Sequence, residues 1–461
     1  LNALISFLQI LPGRILLGVI PHPLEAHAAG VFMQANILAS CMATTIILAF
    51  YQISSPSFSN RVVPIRALCF ISIFTASAIL ISTGSRIGIL GILVGFPLII
   101  ISRYAFFKRK KIVFSTAVIT LLSGFMAGLA LSDGVLKAYS KIEKLASTGS
   151  EIRLHIYQVS LDFFSEKPLF GHGVGSFNSK FHEYASAYIQ DLGGNPLLGF
   201  SKFTHPHNEV LLWAIEGGTV ALLGLILIAA AIVLQAKKIG FQRGGAYISI
   251  LTPILLHTQT ELPFYSSNYH WLIFIFILYL IFKPFNKKTK IGASSYLFPL
   301  FGSIIFILAI YCLSSTLKVS RDINGYILFN ETTEADLKSA ESNLYFGPLA
   351  TQINKRISLY NDLNNGTKSG TISFITWAEQ NIENSPPPLV FHDLALAYNH
   401  VGMKVRALKT IKKGLLLYPR HPVILRAQSI IKEHQESAIE KVLDDIILPN
   451  KSTVPYPMSM P

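Results

Sequence analysis

Uninterrupted apolar runs dominate this chain, and each is about as long as a lipid bilayer is thick. They cover residues 36–53, 65–82, 86–102, 112–131, 208–235, 244–260, 269–283 and 294–317. A helix crosses the hydrocarbon layer in about 20 residues. The runs that fall a little short suit ends that snorkel or are capped by protein. The predicted fold class is therefore all-α, a polytopic transmembrane helical bundle. Composition agrees: 51% of residues are hydrophobic, 14% are charged, and mean hydropathy is +0.47. That balance lies far from a soluble domain's. Residues 1–10 read as the end of a further span, and the opening Leu1 predicts that the true N-terminus and some spans precede it. A charged n-region and a small-residue cleavage site are both absent.

The short loops set an orientation. Arg61 and Arg66, then Arg103 and Lys108 to Lys111, then Lys237, Lys238 and Arg243, then Lys283, Lys287, Lys288 and Lys290 fall on one side if the spans alternate. Positive loops stay in the cytoplasm, so that side is cytoplasmic. The opposite side then holds 11–35, the turn Thr83–Arg86, the loop 132–207, the loop Glu261–Tyr269 and the tail from about Lys318. This bias explains much of the +14 net charge. No nucleic-acid partner is required, and no nucleic-acid motif is present. Cys41, Cys69 and Cys312 lie inside apolar runs with no metal-site spacing, which makes them small buried residues.

The predicted organisation has three parts. Residues 1–317 form the membrane domain, including the external loop 132–207; 318–448 form an external helical domain; 449–461 form a disordered, proline-containing end. In the second part Phe391, Leu394, Ala395, Tyr398, Ala407, Ile411, Gly414 and Pro419 match the spacing of a tetratricopeptide repeat. Such a unit serves as a protein-docking platform or as a plain helical cap.

Polar groups at a lipid boundary are costly unless used or satisfied, which singles out a few residues. His205-Pro206-His207-Asn208-Glu209 opens the run at 208. His207 is either an interfacial ring with its bonds satisfied or a proton acceptor near neutral pH. His205 with His207 is a two-ligand fragment, short of the three or four that zinc needs. Asn208 fits a helix N-cap. Arg86, beside Thr83-Gly84-Ser85, either snorkels or binds phosphate through its bidentate fork. Glu261 either holds an Arg or His in place or is a solvated carboxylate. The loop 132–207 is too long for a plain connector. Its Gly171-x-Gly173-x-Gly175 run reads as a tight turn more readily than as an anion cradle.

In order, Thr83-Gly-Ser-Arg86, Arg153-Leu-His-Ile-Tyr157, Pro168-Leu-Phe-Gly-His-Gly-Val-Gly-Ser-Phe177, His205-Pro-His-Asn208 and Glu216-Gly-Gly218 resemble the superfamily of O-antigen ligases, Wzy polymerases and PglL-like pilin O-oligosaccharyltransferases. Ala28 to Asn36, with Gln34, is similar to the segment that precedes a span in these proteins. Two alanines, Ala28 and Ala29, stand where the family often has an Arg. Glu261-Leu-Pro263, Tyr265 and His270-Trp271 resemble the protein-directed branch.

The resemblance implies a GT-C-like bundle in the bacterial inner membrane with its active site facing the periplasm. It implies an inverting, metal-independent transfer from an undecaprenyl-diphosphate-linked glycan, with no cofactor. Arg86 and Arg153 would stabilise the leaving diphosphate, and His207 would position or deprotonate the acceptor hydroxyl. His205, Asn208, Glu261, Gln34 and Asn36 would bind substrate. The acceptor is a protein Ser or Thr, as on a pilin, or a sugar of lipid A core or a growing polymer. A reading of another class is a transporter of a lipid-linked glycan, which predicts paired, interrupted spans.

Overall fold

The computed structural model describes residues 2–10, 28–32, 34–131, 152–191, 196–199, 201–285, 294–326, 334–384, 387–419 and 421–433. The proline-containing end, parts of the loop 132–207 and the basic residues Lys287, Lys288 and Lys290 lie outside them. The described residues are helical throughout, with no strand. They fall into two compact units, 1–177 with 204–287 and 178–203 with 288–461.

The first unit opens with α1 (Asn2–Ile10), followed by α2 (Ala35–Ile53), α3 (Val63–Ser82), α4 (Arg86–Ser102), α5 (Tyr104–Arg109) and α6 (Lys111–Leu131). After α7 (Ile152–Glu166) the chain returns in α9 (Glu209–Lys238), α10 (Phe241–His257), the short α11 (Pro263–Ser266) and α12 (Asn268–Phe282). The last span candidate, α13 (Ser294–Asn324), belongs to the second unit, as does nearly all of α8 (Ser176–Asp191).

Among the described residues, six helices are long and apolar enough to cross a membrane: α2, α3, α6, α9, α12 with the turn after it, and α13. Of the eight expected runs, the other two form α4 and α10, each of 17 residues. Their shortness goes with burial. Glycines on α4 let α10 approach closely: a Cβ on Gly91 would come within 2.9 Å of the Pro253 ring, and one on Gly95 would meet Ile47 and the Ser249 carbonyl. Small residues at crossings of this kind are what bring membrane helices into contact. α2 is the most enclosed of the long helices, with Leu38, Met42, Ile46, Ile47 and Phe50 in the core. By contrast α9 turns Leu223, Ile226 and Leu227 outward, as a lipid-facing helix does.

At the basic end, Arg103 is buried and fully engaged. It donates from Nε to Ser54 Oγ at 2.8 Å and from Nη2 to the Ser54 carbonyl at 3.1 Å, and its guanidinium sits 4.0 Å from the Phe106 ring centroid. A buried guanidinium needs such partners.

One helix is broken. α9 leaves helical geometry at Gly218, whose φ is 66°. A break in lipid or at its edge leaves peptide groups that cost about 1–3 kcal/mol each if unpaired. The Pro168–Gly175 turn satisfies them. The His172 and Gly173 N–H groups donate to the Ile215 and Glu216 carbonyls at 2.9 and 3.0 Å. Thr219 and Val220 N–H donate in return to the Pro168 and Leu169 carbonyls at 2.7 and 3.2 Å. Glycine is required at both sides: a Cβ on Gly171 would lie 2.5 Å from the Glu216 carbonyl carbon, and one on Gly218 would overlap the Leu169 carbonyl. The Gly-x-Gly run is thus the partner of the Glu216-Gly-Gly218 break, and its amides serve the chain's own carbonyls.

In the second unit α14 (Glu334–Ala340), α15 (Gly347–Asn365), α16 (Ser369–Asn384), α17 (Pro388–His400), α18 (Lys404–Leu417) and α19 (Pro422–Glu433) follow one another along the chain. Phe391, Leu394, Ala395, Tyr398, Ala407 and Ile411 are buried in one core. Gly414 lets α18 settle on α17, since a Cβ there would sit 3.0 Å from the Phe391 ring. Asp393 is buried among Arg356, Tyr360 and His392, which hold its carboxyl below the usual range although burial alone would raise it.

Candidate active site

The His205–Asn208 segment is sewn to the turn that follows α10. Asn208 caps α9, its Oδ1 accepting from the Leu211 N–H at 2.9 Å, while its Nδ2 donates to the Gln259 carbonyl at 3.1 Å. Glu209 N–H donates to the Thr258 carbonyl at 2.9 Å. Tyr157, one turn after Arg153 on the same face of α7, donates its hydroxyl toward the His207 and Gln259 carbonyls at 3.3 and 3.4 Å. Three segments far apart in sequence are locked here, and other side chains on them converge.

They converge on Glu261. Its Oε1 accepts from Arg153 Nη2 at 2.9 Å and its Oε2 from His207 Nδ1 at 3.1 Å. The carboxylate is the most buried of the three side chains, 10% exposed against 28% for Arg153 and 26% for His207. Burial pushes its pKa up, but the His207 bond and the charges of His207, Arg153 and His205 outweigh it, so Glu261 titrates below the ordinary carboxylate value. An ionised Glu261 takes the Nδ1–H of His207, which leaves the Nε2 lone pair as the basic atom of that ring. His207 itself has φ 55°, the one positive-φ residue other than glycine among the described residues. Backbone of this kind costs on the order of 1 kcal/mol and persists where surrounding contacts enforce it.

His205 stacks edge-on to His207, with ring centroids 4.4 Å apart. Its Nδ1 accepts the His207 N–H at 3.1 Å. Burial first, then the charges of His207 and Arg153, push the His205 pKa down to about 4 against the pull of Glu261. It is therefore a neutral ring near pH 7. One ligand atom each from His205, His207 and Glu261 lies within 4.8 Å of the others, a spacing at which a cation could be held. Each Glu261 oxygen already accepts one charge-assisted bond, from Arg153 and from His207, so a cation there would share the carboxylate with them.

A second group forms around α2. Gln34 stands at the N-cap position of that helix without a side-chain cap bond. Asn36 Oδ1 accepts from the Ser85 hydroxyl at 2.8 Å, and Ser85 in turn caps α4, of which Arg86 is the first residue. One turn along the same face, Ser40 Oγ lies 2.8 Å from both His257 Nδ1 and His270 Nε2, and His270 Nδ1 lies 2.8 Å from Ser267 Oγ. Ser40, His257 and His270 are wholly buried. The Glu261 N–H donates to the His257 carbonyl at 3.0 Å. Thus α2 braces the Arg86 turn with Asn36 and the Glu261 turn with Ser40.

Sequence reasoning singled out every member of the Arg153–Glu261–His207 cluster; of the Ser40–His257–His270 brace it named only His270, within the His270-Trp271 resemblance, and neither Ser40 nor His257. The available signal was the four-residue spacing of Asn36 and Ser40 within an apolar run, where paired polar side chains seldom stand without a purpose.

Comparison with known families divides the chain in two. Residues 71–226 match the O-antigen ligase family, and residues 246–428 match the C-terminal part of the virulence factor membrane-bound polymerase family. No curated protein and no solved structure matches the chain. The first match takes in Arg86, Arg153 and His207, the second takes in Glu261, and the ion pairs on Glu261 join the two. Together the two matches support the superfamily of O-antigen ligases, Wzy polymerases and PglL-like transferases, and with six helices long and apolar enough to cross a membrane they mark the protein as a multi-pass membrane enzyme of glycosyltransferase type.

Proposed function

We propose that the protein is an O-oligosaccharyltransferase of the bacterial inner membrane. It moves a glycan from undecaprenyl diphosphate to a Ser or Thr hydroxyl of a periplasmic protein, such as a pilin, with inversion and without a metal. The observation that carries this reading is the two-sided carboxylate, with Arg153 on one oxygen of Glu261 and His207 on the other.

In this reading the acceptor oxygen attacks the anomeric carbon while the bond from that carbon to the diphosphate oxygen breaks. The hydroxyl proton passes to His207 Nε2, and Glu261 stabilises the imidazolium that forms. Diphosphate leaves as an anion without an obligatory acid catalyst. Arg86, with Arg153 beside it in role, offsets the growing negative charge. His205 holds the His207 N–H and Asn208 ties the segment to the Gln259 carbonyl, while Gln34 and Asn36 shape the donor side near Arg86. The helical domain 318–448 presents the protein acceptor.

Glu261-Leu-Pro263 and the repeat-like tail favour a protein acceptor. The ligase and polymerase descriptions of the matched families favour a second reading, in which the acceptor is a sugar hydroxyl. The test is transfer in detergent from purified lipid-linked glycan, offered a pilin-like protein and a lipid A core acceptor in parallel. Modified protein with unmodified core supports the first reading. The reverse supports the second. Transfer abolished by a chelator and restored by a divalent ion would instead make His205, His207 and Glu261 a metal site.

A further inference from the structure

The Pro168–Gly175 turn does more than close the break in α9. Its outer face carries Leu169, Phe170 and Val174, which are 57%, 72% and 92% exposed. Gly173 and Gly175, on either side of Val174, have positive φ and would meet nothing within 4 Å if they carried a Cβ. Three large apolar side chains are therefore displayed at the tip of a turn whose backbone is firmly paired to α9. Water is a poor environment for such a tip, and an isolated exposed Leu would need no explanation.

The level of the turn identifies what covers it. α9 and α10 leave the same short turn at Ile239-Gly240. From Lys238 back to the break, α9 spans about 20 residues, or ~30 Å at ~1.5 Å per residue, which matches the hydrocarbon thickness. α10 has 17 residues and rises ~25 Å by the same measure. The Glu209–Thr258 bond ties the start of α9 to the end of α10, so the part of α9 before Gly218 folds back across this level. The break, and the turn bonded to it, therefore lie at the edge of the hydrocarbon layer. Below them α9 continues outward-facing through Val220, Leu223, Ile226 and Leu227, so the apolar tip prolongs a lipid-facing surface. Lys167, at the start of the turn, is exposed where lipid headgroups would lie.

We propose that Pro168–Gly175 is an interfacial membrane loop, with Leu169, Phe170 and Val174 seated in the boundary between headgroups and acyl chains beside α9. The loop then fixes the depth at which α9 breaks, and with it the level of the His205–Asn208 segment at the helix start.

The test is a depth measurement on protein reconstituted alone, at high lipid-to-protein ratio, in phosphatidylethanolamine–phosphatidylglycerol vesicles. Phe170→Cys and Val174→Cys, with Cys41, Cys69 and Cys312 replaced by Ala, would carry an environment-sensitive nitrobenzoxadiazole label; Ser165→Cys serves as the aqueous control. The expected result is blue-shifted emission from both positions, quenched by lipids bearing a shallow nitroxide and shielded from aqueous iodide. Water-like emission with full iodide quenching would overturn the proposal. Emission shielded from iodide and from nitroxide lipids alike would also overturn it, by showing that protein covers the tip. If the cysteine-free background folds poorly, Phe170→Trp in the otherwise unaltered chain gives the same reading. Its added emission should be quenched by lipids brominated near the headgroup.

Discussion

Arg153 and Glu261, 108 residues apart in sequence, meet at 2.9 Å, and the second carboxylate oxygen of Glu261 meets His207 at 3.1 Å. A single buried carboxylate thereby sets the position of a guanidinium and the tautomer of an imidazole. Glu261→Gln keeps the shape but removes the charge that both partners use. The expected outcome is a fall in transfer close to that of Arg153→Ala. The double variant should be hardly worse than either alone, since residues acting as a unit are not additive. Fully additive losses in a double-mutant cycle would show that the two residues act separately.

His207→Gln retains a side-chain donor and acceptor but no titrating proton. Transfer should fall by ~10²–10⁴ with normal insertion and amount, the loss expected for a general base. His205→Gln should be milder, because His205 holds the His207 backbone N–H and is not paired to Glu261. Equal activity of wild type and His207→Gln in the purified assay would remove His207 from the chemistry.

Arg86→Ala should abolish transfer, and Arg86→Lys should retain little, because an ammonium keeps the charge but not the planar fork. Normal transfer by Arg86→Ala at normal membrane levels would reduce this residue to an interface anchor.

Ser40→Ala deletes one hydroxyl and strands two buried imidazole nitrogens. The expected cost is about 1–3 kcal/mol, read as a lower midpoint of thermal unfolding in detergent. Ser40→Thr keeps the hydroxyl and should recover part of it. An unchanged midpoint for Ser40→Ala would mean that the brace contributes no stability.

Acid should loosen the first unit, and the sign follows from two groups. The His205 pKa is pushed down from 6.5 to about 4, so the unfolded chain binds the proton first and stability falls as pH drops from about 6.5 toward 4. Glu261 titrates below its ordinary 4.5, so its contribution is complete above that pH and is lost as pH falls through its lowered folded value. Unfolding midpoints at pH 7 and pH 5 should therefore differ, lower at pH 5, and His205→Gln should narrow the gap. A higher midpoint at pH 5 would contradict the His205 shift.

Local patterns in the sequence were enough to give the helices. Apolar runs of bilayer length become α2, α3, α6, α9, α12 and α13 because in lipid each peptide group must find its partner within its own helix. Asn208 was legible as a cap for the same reason, since its partner lies only three residues away. What the sequence left open was every pairing across the fold. Glu261 read equally well as a solvated loop carboxylate, and only tertiary structure seats it between Arg153 and His207. Gly171-x-Gly173 and Glu216-Gly-Gly218 were two separate motifs until folding made each the hydrogen-bond partner of the other. Ser40 passed as one small residue in an apolar run, because its meaning depends on two histidines more than 200 residues away. A hydrogen bond depends on direction and distance in space. Helical periodicity encodes these within a few residues along the chain, and packing alone decides them beyond that.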